Sequence, residues 1–458
     1  MVTIYLDKQI FSYLFKSNEA KYKALKEKIL SHKDDFIFLY SDAHLFDLQK
    51  DNTERKFAEM EFMQEIVDSN RLMLDGRKIN LLKDVPKDIF NTLKKLGDID
   101  VIDFSQLNTE QINMLSNAID LFIKDINGKL EVNWLNDREP IHADKLQVNQ
   151  EFVTSILRCV ANSLYCQKGP YKLVRDNMKA KYNPTIEIAD NNTDFNDKLK
   201  NTPLRLSFID TIRASLKQMG RSSDNDFEVY IMAYALLDML GLSREKGKTV
   251  RFHNVQVDSY HSFFASYCDC LVSNDVGLTQ KSKILYELFG FDTQVYSIDE
   301  FINHFNACII DNQKSGKKHL NEIMSDYSAR TVIDTQQLNG YTLTHIKGSH
   351  RYFGYFNYML ERKIEDETVI IIYKRQDTKP LLPFREVEII VNRLVKSFEE
   401  SNSLAGMFNK EIELPQLLKD QWEGRTWVFQ DADMKLMKFK GSSLLCFSIK
   451  LKNRCIPN

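Results

Sequence analysis

Glycine and proline are scarce, 16 and 9 among 458 residues, which excludes a collagen-like or loop-dominated chain. An excess of either charge is also missing. Sixty-two Lys and Arg stand against 64 Asp and Glu, a net charge of −2, so the chain is no uniformly basic nucleic-acid coat, although local basic patches are compatible with it. The longest apolar run, residues 230–242, is broken by Asp238 and is too short for a bilayer. The start, Met1 to Asp7, lacks the basic and then apolar pattern of a secretory leader. Seven cysteines, at 159, 166, 268, 270, 308, 446 and 455, form an odd, scattered set. A chain of this length needs no disulfide framework. What is present, 43% apolar and 28% charged residues, suits an ordinary globular protein. The expectation is a soluble cytoplasmic protein with reduced thiols and no membrane partner, built from about three units at roughly 150 residues each.

Changes of period divide the chain. Residues 2–6 are a short apolar run ending in Asp7, with helical spacing from Gln9 onward. Residues 36–40 read as a buried strand, and Ser41 caps a helix carrying Asp42, His44, Leu45, Asp47 and Leu48. Strand, helix, strand, helix opens a parallel α/β sheet. From about 75 to 225 the period is mostly helical. The α/β style then resumes: a helix near Phe227, a helix opening at Asp258, a strand at 271–273, Asp275, a helix at 281–289 and a strand at 293–296. Beyond about 306, runs at 341–346, 352–360, 368–374, 426–429 and 444–449 read as strands and 384–399 as a helix. The expected division is an α/β unit in two halves, 1–75 and 226–305, a helical insertion, 76–225, and a C-terminal α+β domain, 306–458.

Four acids share one context. Asp7 follows a strand, Asp47 lies on the helix after the next strand, Asp258 opens a helix, and Asp275 follows a strand. In an open parallel sheet ligands collect at the carboxyl ends of the strands, where acids from distant segments can converge. Helix capping is the competing reading, since Asp is a favoured cap.

The run Tyr5-Leu6-Asp7-Lys8-Gln9-Ile10 resembles the opening of PIN-domain nucleases, an apolar strand ending in Asp. Ser41-Asp42-Ala43-His44-Leu45-Phe46-Asp47 resembles their second motif, Asp258-Ser259-Tyr260-His261 the third, and Leu271-Val272-Ser273-Asn274-Asp275 the fourth. The segment 293–301 resembles the family's closing strand and the stretch after it. Lys8-Gln9 stands where the family usually has a polar pair, and Asp47 where Glu is commoner. The resemblance covers about residues 1–70 and 226–305. It implies a PIN-like three-layer fold with a central parallel sheet, split by the helical insertion, and a metal-dependent nuclease leaving 5′-phosphates. The four acids Asp7, Asp47, Asp258 and Asp275 would be both catalytic residues and metal ligands. RNA would be favoured over DNA, and bacterial relatives of this type act in toxin systems or phage defence.

The chemistry is consistent with that implication. Two carboxylates about 4 Å apart repel by about 4 kcal/mol at an effective dielectric of about 20, so four that converge need cations or raised pKa values. All-oxygen ligands select Mg²⁺ or Mn²⁺ over zinc. The alternatives are a structure-specific DNA nuclease with the same site, or a non-catalytic PIN-like scaffold binding nucleic acid or protein. A regulatory protein partner or self-association stays open.

Other residues are secondary. His44 lies three positions before Asp47 and His261 three after Asp258, each on its acid's helix face; each either touches phosphate or metal-bound water or serves as a polar or capping group. Asp238 is a site acid or a partnered structural one, while Asp42 and Asp269 cap or solvate their elements. Residues 241–249 imitate a phosphate-binding loop but have five residues between the glycines where four are needed, and they follow a helix. Cys268-Asp269-Cys270 has poor spacing for zinc. Of the basic stretches, 168–182, 244–251 and Lys347, His350 and Arg351 beside aromatic residues 352–356, the second is preferred for substrate. Lys246, Lys248 and Arg251 there adjoin the third acid in the chain.

Overall fold

The computed structural model describes residues 2–93, 195–201, 205–218, 220–240, 252–338, 340–364, 367–374, 384–398, 406–439 and 444–452. Residues 168–182 and the candidates Lys246, Lys248 and Arg251 lie outside them.

In chain order the first half holds β1 (Thr3–Leu6), α1 (Lys8–Lys16), α2 (Ala20–Ser31), β2 (Ile37–Ser41), α3 (Asp42–Gln49), α4 (Arg55–Val67), β3 (Asn70–Asp75), β4 (Lys78–Lys83) and α5 (Pro86–Thr92). Then follow α6 (Phe195–Lys198), α7 (Phe208–Gln218), α8 (Asp226–Met239), α9 (Phe252–Ala265), β5 (Cys270–Val272), α10 (Val276–Phe289), β6 (Gln294–Tyr296) and α11 (Ile298–Asn312). The six strands form one sheet in the order β4-β3-β2-β1-β5-β6. All pairings in it are parallel except β3 with β4.

That sheet is covered on both faces, and the strand alternation explains how. Tyr5, Ile37, Leu39 and Leu271 join a core with Tyr230, Phe263 and Leu285 of α8, α9 and α10. Their neighbours Ile4, Leu6, Phe38, Tyr40 and Val272 join a second core with Phe11, Leu25, Met60 and Phe305. Successive side chains point to opposite faces, so continuous apolar runs mark strands buried on both sides. The mainly helical reading from residue 75 is corrected at 78–83, where β4 turns back on β3 with Asp75 opposite Lys78. Gly76 takes the turn at φ 60°, a left-handed conformation that glycine adopts without a Cβ clash. The two-residue loop Gly76-Arg77, with glycine first, was a readable hairpin signal.

The second sheet is antiparallel. After α12 (Gly316–Ala329) come β7 (Val332–Leu338), β8 (Tyr341–Ile346), β9 (Tyr358–Ile364), β10 (Glu367–Tyr373), α13 (Phe384–Ser397), α14 (Lys410–Leu418), β11 (Arg425–Val428), β12 (Ala432–Lys438) and β13 (Leu445–Leu451). Its order is β11-β12-β13-β10-β9-β8-β7. The stripe Val387, Ile390, Val391 and Leu394 of α13 shares a core with Ile370, Ile372, Phe447 and Ile449, as its helical spacing requires.

The strand expected over 352–360 begins only at Tyr358. Before it, Phe353 and Gly354 turn the chain at φ 52° and 63°. A Cβ on Gly354 would lie 2.5 Å from Asn312 Oδ1 and 2.7 Å from Arg393 Nη1, and its φ of 63° also favours glycine. Tyr352, Phe353, Tyr355 and Phe356 are buried, Arg351 pairs with Asp269 at 3.1 Å, and His350 contacts Asp326 at 3.1 Å. These aromatics are core and are not exposed for stacking on bases. No helix among the described residues is long and apolar enough to cross a membrane.

Candidate active site

Asp7, Asp47, Asp258 and Asp275 line one pocket of about 300 Å³, together with Lys8, Gln9 and Ser12. It opens at the carboxyl ends of β1, β2 and β5. Asp7 ends β1, Asp47 sits on the second turn of α3, and Asp275 follows β5. Asp258 arrives differently from the expectation: α9 begins at Phe252, so this acid is mid-helix and does not open it. Helix α9 packs against α3, and the three-residue spacing puts His261 on the same face as Asp258. A larger cleft of about 590 Å³ also has acids in its lining, but Asp34, Glu61 and Asp68 there are solvent-exposed.

Capping does not account for the four acids. Asp7 occupies the N-cap position of α1 yet makes no side-chain cap bond; its Oδ2 accepts from Ser273 Oγ at 2.7 Å. Asp275 does cap α10, accepting from Leu278 N at 2.9 Å through Oδ1, which leaves Oδ2 for the pocket. Asp47 accepts from His261 Nε2 at 3.0 Å and from Lys50 Nζ at 2.7 Å. The carboxylate of Asp258 has no hydrogen-bond or ion-pair partner among the described residues.

The pKa directions follow from these partners. Burial would raise Asp47, but the hydrogen bond and charge of His261, with Lys50, hold it well below the usual carboxylate range. Burial raises Asp7 against the pull of His261 and Ser273. Asp258 is pushed up to about 8, first by burial and then by the Asp275 charge, with Asp47 and Asp7 adding to it and Lys281 opposing. Protein groups alone leave this pocket short of positive charge. Hard oxygen donors of this kind fit Mg²⁺ or Mn²⁺, and the chain's own residues leave room for that ion: among the described residues, neither the Asp258 carboxylate nor Asp7 Oδ1 receives a hydrogen bond.

Behind the acids stands a buried polar layer. Ser41 N donates to His44 Nδ1 at 3.1 Å, so Nε2 carries the hydrogen and donates to Leu6 O at 2.7 Å. Burial, then the charge of His261, drives His44 down to about 3. Both its ring nitrogens are used inside the fold. Of the roles weighed for His44, these bonds show the capping one: it ties the end of β1 to the start of α3. His261 is also fully buried, but its Nε2 faces the acids, 4.0 Å from Asp7 Oδ1, so it meets the site from behind. Burial lowers His261, yet the Asp47 hydrogen bond and the Asp7 and Asp47 charges outweigh it and leave its pKa raised. Tyr5 Oη links this layer, 2.9 Å from His261 Nδ1 and 2.7 Å from Ser41 Oγ.

Three other acids resolve as structural. Asp238 forms a buried ion pair with Lys281 at 2.8 Å. Asp42 pairs with Arg71 at 2.8 Å. Asp269, expected to cap or solvate its element, is instead buried and accepts from Val2 N and Thr3 N at 2.6 and 3.0 Å. Sequence reasoning passed over Glu59, a buried acid on α4 that pairs with Lys8 at 3.1 Å and Lys16 at 2.8 Å and bonds Ser12. Lys8, at the family's polar-pair position, thus neutralises Glu59. The signal was present in helical spacing, with Lys8, Ser12 and Lys16 on one face of α1. Cys308 and Cys446 are free thiols.

Comparison with protein-family models, with curated proteins and with solved structures returned no match. The chemistry of the site therefore rests on its own residues.

Proposed function

We propose that this chain is a Mg²⁺- or Mn²⁺-dependent nuclease of the PIN-like type that hydrolyses phosphodiester bonds, with RNA as the preferred substrate. The observation that carries the reading is the pocket formed by Asp7, Asp47, Asp258 and Asp275 at the carboxyl ends of three parallel strands. The quoted PIN-like motifs deliver those four residues. Asp7, Asp47, Asp258 and Asp275 would hold the ion. A bound divalent ion orients and acidifies the attacking water and neutralises charge on the transferring phosphate. Ser273 and His261 fix Asp7 and Asp47 in place, and the Asp275 cap bond fixes the fourth acid against α10. The buried His44–Leu6 bond keeps the two acid-bearing segments in register.

Incubation with labelled single-stranded RNA and DNA, with Mn²⁺ or with chelator, tests this. The expected result is RNA cleavage only with metal, leaving 5′-phosphate ends. Full cleavage in chelator, or 2′,3′-cyclic ends, overturns it in favour of histidine acid–base chemistry. Cleavage confined to branched DNA moves the substrate class. Binding without cleavage under any metal identifies a scaffold.

A further inference from the structure

We infer that His261 is itself a metal ligand, so that the ion is held by Asp7 Oδ1, Asp47 Oδ2 and His261 Nε2, with Asp258 and Asp275 lining the pocket in front of it. This rests on the metal-dependent reading above and goes beyond its all-carboxylate ligand set. The three donor atoms lie within 4.8 Å of one another. His261 Nε2 is 3.0 Å from Asp47 Oδ2 and 4.0 Å from Asp7 Oδ1. Ligands at about 2.1 Å in an octahedron are about 3.0 Å apart at adjacent positions and about 4.2 Å at opposite ones. The 3.0 Å spacing matches two adjacent ligands of such an ion and the 4.0 Å spacing approaches two opposite ones.

The surroundings of the ring allow the required tautomer. A metal on Nε2 demands that the hydrogen of the neutral ring be on Nδ1. Tyr5 Oη, 2.9 Å from Nδ1, can accept it and turn its own hydrogen to Ser41 Oγ at 2.7 Å. A ligating histidine normally has such a partner on its other nitrogen, which orients the ring. Tyr5 lies on β1, two residues before Asp7, so the same strand supplies one ligand and the support of another. His261 is fully buried and cannot leave to serve elsewhere. One nitrogen among oxygens shifts preference from Mg²⁺ toward Mn²⁺.

Electron spin echo spectroscopy of the tag-free protein loaded with Mn²⁺ decides the matter, because a directly bonded imidazole nitrogen modulates the echo. The expected result is nitrogen modulation in the wild type, altered when histidine carries the heavier nitrogen isotope and lost in His261→Gln. Tyr5→Phe should keep the modulation while weakening Mn²⁺ binding by about tenfold. Mn²⁺ bound with water modulation alone overturns the inference: His261 is then only a hydrogen-bond partner of Asp47, and the nuclease reading survives. If isotope substitution shows no coupled histidine although His261→Gln fails to fold, the inference is likewise overturned. No Mn²⁺ binding at all overturns both readings together.

Discussion

At the amino-terminal edge of the parallel sheet Asp269 is enclosed by donors, whereas at the carboxyl edge Asp258 has no partner among the described residues. Asp269 receives Val2 N and Thr3 N and faces Arg351 and Lys374 at 3.1 and 3.0 Å. Those cations, chiefly Lys374, overcome its burial and hold its pKa well below the usual carboxylate range. Lys374 continues to the buried Glu386 at 2.8 Å, so the network fastens β1 and β5 to the antiparallel sheet. Asp258 is pushed up to about 8 by burial and by its fellow acids. A folded protein gains by pairing its buried charges, and leaving one unpaired costs stability. The pairing at Asp269 serves the fold, and the deficit at Asp258 is what a cation would relieve.

The largest contrast should be in activity. Asp258→Asn keeps shape and removes a charge, so turnover should fall below detection while circular dichroism is unchanged. Near-normal rates would show that the unpaired carboxylate is incidental. Asp269→Ala should retain metal-dependent cleavage at low temperature, since it lies at the other end of the strands.

Stability should reverse that order. Asp269→Ala leaves Arg351 without its acid and Lys374 with Glu386 alone, which costs about 3–5 kcal/mol for a buried pair broken on one side. Asp258→Asn in chelator should melt at the wild-type temperature or above, because the cost of protonating a buried carboxyl among other acids is gone. Thermal melts of the three proteins side by side measure both. A stable Asp269→Ala would mean that the network adds little to the joint between the two sheets.

Much of this contrast was readable from the chain and part was not. Asp7 and Asp275 were legible because a strand that ends in an acid is a local pattern. Asp47 and Asp258 needed the sheet to bring α3 and α9 together, and only ordered motifs hinted at that. The start of α9 was missed: Phe252 to Val257 carries no cap signal that outweighed Asp258 as a favoured opener. The role of Asp269 was illegible, since its cations come from 82 residues away and farther along the chain. In β12, Ala432, Met434 and Leu436 alternate inward, a signal that was available. By contrast β7 is exposed along its whole length and gave no apolar pattern to read.

The pH dependence of stability sharpens the comparison because the two acids have opposite signs. In chelator, folded Asp258 keeps its proton to about pH 8, while an unfolded Asp loses it near pH 4. Between those values the folded state binds more protons, so stability is full below about pH 4 and is lost as pH rises toward 8. Asp269 has the reverse sign: its contribution is present above the unfolded pKa and is lost as pH falls through its depressed folded value. Denaturant titrations from pH 4 to 8 should show the downward slope in wild type and a shallower one in Asp258→Asn, where Asp7 and His261, whose pKa values are also raised, still contribute. Saturating Mn²⁺ should also flatten it, since a cation favours the carboxylate.

The smallest effect expected is on substrate grip, and it asks whether the acidic edge also recruits phosphate. Lys246, Lys248 and Arg251 precede α9 in the chain by a few residues, and helix α9 carries Asp258 into the pocket and sets His261 behind it. If these three cations contact phosphates, changing all of them to Ala in the inactive Asp258→Asn background weakens binding at low salt. It should also flatten the slope of log affinity against log salt by about two, at roughly 0.7 per contact on a single strand. Base preference should not move, because phosphate contacts carry no sequence information. Fluorescence anisotropy at several salt concentrations reads the slope directly, and the same measurement on Asp269→Ala should return the wild-type value. An unchanged slope in the triple variant would place those cations on a solvated face and leave the pocket without its chain-adjacent phosphate grip.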